Sequence, residues 1–121
     1  MIKKALYWLP AIFYMVLIFW FSSRPAPEIV KAAPMLFEVK IVHLVEYGIL
    51  SLLFYFGLAR TAKLSFPAMI ILSILLTVLY GYTDEIHQMF VLTRTAKFMD
   101  LITDFAGAGL AQTGIVLFKR T

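Results

Sequence analysis

Nine side chains in this sequence could carry acid–base or metal chemistry: Glu28, Glu38, His43, Glu46, Asp84, Glu85, His87, Asp100 and Asp104. Lys40, His43 and Tyr47 are three and four residues apart, with Glu46 one position round, so a helix would place them on or beside one face. Asp84 and His87 have the same three-residue spacing. Tyr80, Asp84, His87, Val91 and Arg94 would align if one helix ran through them all. Asp100, Asp104, Gly107, Ala111 and Gly114 follow spacings of four and three, so the face carrying both carboxylates also carries small residues.

Three chemistries fit these groups, and the residues leave all three open. Lys40, His43, His87 and Arg94 could hold a phosphate or carboxylate, with arginine supplying two-point contact. The plain counterpart is ordinary lipid-headgroup contact. Alternatively, His43 with Glu46 and Asp84 with His87 have the spacing that helices use for shared metal ligation, and a metal-bound water could hydrolyse an ester or phosphate. Finally, Asp84, Glu85 and Asp100 could pair with Arg94, Lys97 and Lys40 to fix helix geometry without any ligand. Serine catalysis is a poor fit, because Ser22 and Ser23 read as a helix exit before Pro25. With no cysteine, disulfides, thiolate metal sites and cysteine nucleophiles are excluded.

The elements that position these groups follow from composition. The chain has 121 residues, 62% of them hydrophobic, and a mean hydropathy of +0.88. That is well above the apolar share of an ordinary soluble domain, and a bilayer can absorb it. A spanning helix needs about 20 mostly apolar residues, and lipid offers no partner to free backbone groups. The charge pattern therefore predicts four membrane helices in a compact all-α bundle, over roughly 5–21, 41–59, 65–82 and 101–118, as one unit covering 1–121. The first reads as an uncleaved anchor rather than a signal peptide, since no clear small-x-small site follows Phe21. Pro25, Pro27 and Pro34 argue against a continuous helix between the first two spans. Tyr7, Trp8, Trp20, Tyr80 and Tyr82 fall near span ends, as interfacial aromatic belts do.

With four spans both termini share a side. Lys3, Lys4, Arg60, Lys63, Lys119 and Arg120 lie on it, and no acid does. The lysine pair beside the first span orients the termini to the cytoplasm. All seven acids and both histidines then gather at the opposite face. Residues 47–59 and 105–118 are charge-free but short, about 20 Å of helix against a core of about 30 Å. Glu46 and Asp104 should therefore lie below the interface and face inward, since an ionisable group at membrane depth costs at least ~2.5 kcal/mol. The glycines at 107, 109 and 114 read as packing residues, and no obvious pore-lining polar stripe runs to the termini side, so four short helices make a poor transport conduit unless several copies assemble. The net charge of +4 sits at span ends, which suits lipid headgroups and excludes nucleic acid as a partner.

These polar positions resemble a known pattern. Phe21-Ser22-Ser23 with Pro25 closes the first span, and Lys40-x-x-His43-x-x-Glu46-Tyr47-x-x-Leu50 opens the second. Asp84-Glu85-Ile86-His87-Gln88-x-Phe90 ends the third, Arg94 follows, and Asp100, Asp104 and Gly107 enter the last. The chain resembles the VanZ-like family of bacterial membrane proteins over nearly its whole length. It departs in having Leu92-Thr93 where the family often has Pro-Gly, and Asp104 where the family often has Asn. The resemblance implies a multi-pass protein of the cell membrane and envelope, with a context in antibiotic (teicoplanin-type glycopeptide) resistance, rather than a particular reaction.

The combined expectation is an outer-face polar cluster of Lys40, His43, Glu46, Tyr47, Asp84, Glu85, His87, Gln88, Arg94, Asp100 and Asp104. It would recognise or modify an anionic envelope component, lipid-linked or related to peptidoglycan. No metal is assigned, and cofactor, enzymatic activity and oligomeric state are left open. The alternative expectation is a non-catalytic membrane scaffold or accessory subunit whose polar cluster is structural.

Overall fold

The computed structural model describes residues 2–22, 40–90 and 98–120. They form five helices: α1 (Ile2–Leu6), α2 (Leu9–Ser22), α3 (Lys40–Thr61), α4 (Phe66–Gln88) and α5 (Phe98–Arg120). No strand occurs among the described residues. Three helices are long and apolar enough to cross a membrane, over Leu44–Thr61, Phe66–His87 and Leu101–Lys119, while Leu9–Trp20 is a shorter apolar helix.

Three boundaries correct the expectation from sequence. The first apolar run is broken at Tyr7 and Trp8 rather than continuous over 5–21. Pro10 explains the break: it has no N–H to donate to the preceding turn, and it is tolerated only in the first turn of the new helix. The third helix runs to Gln88 rather than ending near 82, so Asp84, Glu85 and His87 are helical residues. The last begins at Phe98, which puts Asp100 and Asp104 in its first turns.

The α3–α4 connection is short, as residues 60–64 suggested. Ser65 caps α4 by accepting a hydrogen bond from the Ala68 N–H at 3.3 Å, and Pro67 occupies the first turn. This turn defines the end of the bundle shared with the described chain ends. There the Trp8 indole donates to Thr61 Oγ1 at 3.1 Å, and the Lys119 ammonium lies 4.3 Å from the Phe66 ring centroid. At the other end of α2, Phe19 stacks on His87 with centroids 4.3 Å apart.

Helices α3, α4 and α5 enclose an interior more polar than their exterior. Ser51, Ser73, Thr77, Asp84, Glu85, Asp104 and Gln112 are buried, beside an apolar core of Ala11, Ile18, Tyr47, Leu50 and Phe54. Phe13, Leu79, Leu110 and Phe118 are exposed on the outside. In water such a surface would drive association; for helices in lipid, apolar residues outward and polar groups inward is the stable arrangement. The buried Ser73, Thr77 and Gln112 extend the polar interior towards the termini end without lining a pore. Ser73 and Thr77 donate to the carbonyls of Met69 and Ser73, both at 2.7 Å, so each hydroxyl is satisfied within its own helix.

Close approach of α3 and α5 rests on two glycines. A Cβ on Gly107 would stand 2.5 Å from the Leu44 carbonyl oxygen, and one on Gly48 would stand 3.2 Å from the Gly107 oxygen. Gly107 therefore packs as its spacing predicted. Gly109 and Gly114 do not: a Cβ at either meets nothing within 4 Å. Gly114 shares helical phase with Gly107, so the helices separate between them towards the termini end. One turn past Gly107, Gln112 Nε2 donates to the Ser51 carbonyl at 3.1 Å and to Ser51 Oγ at 2.5 Å.

Candidate polar site at the end of the bundle

The site is built where the C-terminal part of α4 meets the first turns of α3 and α5. Tyr47 is fully buried, and its hydroxyl donates to Asp84 Oδ2 at 2.9 Å across the α3–α4 contact. Asp84 is 5% exposed and Asp104 1% exposed, so these carboxylates lie inside the protein rather than at its surface. Asp104 fits there because α4 has a glycine opposite it. A Cβ on Gly81 would collide with the Asp104 carboxylate. Glu85 is also buried, and Glu46 and His87 are half-buried.

The inward placement expected of Asp104 from the length of its apolar run is therefore what the fold contains. Asp84 joins the same interior through Tyr47, and Tyr80 sits beside them with its ring centroid 6.4 Å from that of Tyr47. The Tyr80 hydroxyl donates to the Met15 carbonyl at 2.5 Å, which ties α2 to the site. His87 faces α2 through its stack on Phe19. Among the described residues no group of three or more His, Asp or Glu side chains is arranged to hold a metal ion.

Other members of the expected cluster are placed in part. Lys40 and His43 lie in the first turns of α3, Gln88 ends α4 and Asp100 lies near the start of α5. Their side chains, and all of Arg94, fall outside the described residues. The backbone nonetheless brings all four helical positions to the end where Tyr47, Asp84 and Asp104 meet.

Two residues expected in an interfacial belt also hold the bundle together. Trp8 lies flat on Gly57, where a Cβ would come within 2.8 Å of the indole, and Tyr80 bonds Met15; both are half-buried. Trp20 and Tyr82 are exposed, as a belt requires. Sequence reasoning passed over Gly48, Gly81 and Gln112. The available signals were a glycine one turn past Leu44, a glycine one turn before the Asp84-Glu85 pair, and a lone amide deep in an apolar run.

A family model described as VanZ/LLP1 matches residues 7–119. No curated protein and no solved structure matches the chain.

Proposed function

Because the chain belongs to the VanZ/LLP1 family, we propose that it is a multi-pass protein of the bacterial cytoplasmic membrane whose polar end recognises an anionic component of the cell envelope. Family membership and the apolar helices are consistent with a membrane protein. The fourth crossing in this reading is made by α1 and α2 together. It is supported by contacts at both ends of the bundle, Trp8 with Thr61 and Phe19 with His87. Lys3 and Lys4 orient the termini to the cytoplasm, so the polar end faces outward.

One observation carries the reading: three helices converge on buried Tyr47, Asp84 and Asp104 at the end where Lys40, His43 and Arg94 enter the sequence. A buried carboxylate demands compensation, and in this reading the cations of this end supply it. Arginine has five donors in a rigid fork, so donors remain for a phosphate or carboxylate arriving from the membrane surface. The chemistry on offer is recognition at the headgroup plane. The resemblance to the VanZ-like family supplies its context, an envelope altered in response to glycopeptides such as teicoplanin.

The Tyr47–Asp84 hydrogen bond favours a second reading, in which the cluster is an interhelical clasp and the protein a scaffold. The two readings separate in one strain carrying Arg94→Lys or Asp100→Asn, scored for membrane abundance and teicoplanin susceptibility. Recognition expects full abundance with lost phenotype, because lysine keeps the charge but not the planar two-point contact. A phenotype that falls only in step with abundance would leave the scaffold.

A further inference from the structure

At the termini end the separation of α3 from α5 opens a groove of about 630 Å³ lined by Leu52, Tyr55, Ala111, Gly114, Ile115 and Phe118, with Lys119 at its end. We propose that this groove binds one acyl chain of an anionic phospholipid, whose phosphate is held by Lys119.

The groove has an amphipathic plan. Its walls are apolar along the helix direction, and its one charged group stands at the termini end, where a headgroup would lie. The Lys119 ammonium is kept there by the face of Phe66, with its nitrogen 4.3 Å from the ring centroid. The surroundings are all of one sign: Arg60 and Lys63 flank the α3–α4 turn, Lys3 and Lys4 belong to α1, and no acid occurs between residues 47 and 83 or after 104. An anionic head at this end meets Lys119 in a setting of basic side chains. A second copy of the chain lying parallel would bring its own Lys119 and Arg120 to the same level, setting like charges against each other. Charge complementarity selects the anionic lipid over the second copy.

This site is separate from the polar cluster and does not depend on the function proposed for it. The test uses vesicles of equal parts phosphatidylethanolamine and phosphatidylglycerol, from which reconstituted protein is extracted in mild detergent and weighed with its bound lipid by native mass spectrometry. Wild type should retain phosphatidylglycerol over phosphatidylethanolamine by roughly fivefold, the scale of one basic contact near a membrane surface. Lys119→Gln should lose the preference. Gly114→Leu should lose both lipids, because its side chain enters the groove while meeting no packed neighbour at the Cβ. Its melting temperature, read beside wild type, should be unchanged. Equal retention of the two lipids by wild type would overturn the proposal, as would an intact preference in Lys119→Gln. A dimer peak abolished by Gly114→Leu would also overturn it and assign the groove to a second copy.

Discussion

The hydroxyl of Tyr47 on α3 donates to Asp84 Oδ2 on α4 at 2.9 Å, and both side chains are buried. A phenol and a carboxylate enclosed between helices depend on each other more than the same pair would in water, because neither can turn to solvent.

Removing the donor tests that dependence. Tyr47→Phe should destabilise the bundle by about 1–3 kcal/mol, the cost of leaving a buried polar group without its hydrogen-bond donor. Thermal unfolding in detergent of Tyr47→Phe, Asp84→Asn and the double variant forms a cycle. A double variant that loses less than the sum of the singles is expected; strict additivity would mean the pair is not coupled.

Glycine substitutions along α5 should sort by helix separation. Gly107→Ala places a methyl 2.5 Å from the Leu44 carbonyl oxygen, a backbone atom that cannot step aside, and should cost about 1–3 kcal/mol. Gly109→Ala and Gly114→Ala should melt at or slightly above wild type, since alanine favours the helix and nothing opposes it. Equal melting of Gly107→Ala and wild type would remove the close-contact account.

At Asp104 the fold predicts tolerance of shape over charge. Asp104→Asn fits the space opposite Gly81 and should keep membrane abundance within about twofold of wild type, whereas Asp104→Leu buries apolar branches where polar groups converge and should lower it several-fold, the usual consequence of destabilisation by 1–2 kcal/mol. Immunoblots of isolated membranes read both. If Asp104→Asn alone lost abundance, the carboxylate charge itself would be structural.

Topology is checked by single cysteines in this cysteine-free chain. Lys3→Cys and Lys63→Cys should be protected from an impermeant maleimide on whole cells, while Ala26→Cys should label. The reverse pattern would invert the orientation, and labelling of Lys3→Cys and Lys63→Cys on opposite sides would break the four-crossing arrangement.

Much of this architecture was readable from charge spacing. The uncharged runs after Glu46, Lys63 and Asp104 marked the three long helices, because lipid tolerates little else over that length. The shortness of residues 105–118 pulled Asp104 inside. What escaped notice depends on relations between helices. Gly107 and Gly114 have the same phase on α5, yet only one touches α3, because the crossing geometry decides where contact ends. Gly81 gained its role from the carboxylate opposite it, and Gln112 from Ser51, sixty-one residues earlier. The extension of α4 to Gln88 was only one option in the spacing of Tyr80, Asp84 and His87, because charge reads as the end of a span, although a helix can carry its charged turn inside a bundle. Trp8 and Tyr80 look interfacial by position and are held by Thr61 and Met15.

The close contact of Leu44 and Gly48 on α3 with Gly107 on α5 joins elements that are not consecutive in the chain. During synthesis α3 and α4 therefore emerge well before the surface that seals them. Until α5 leaves the ribosome and inserts, Asp84 and Tyr47 face a gap on the side where α5 packs. A chain lacking α5 would thus leave Asp84 and Tyr47 without the helix that packs beside them.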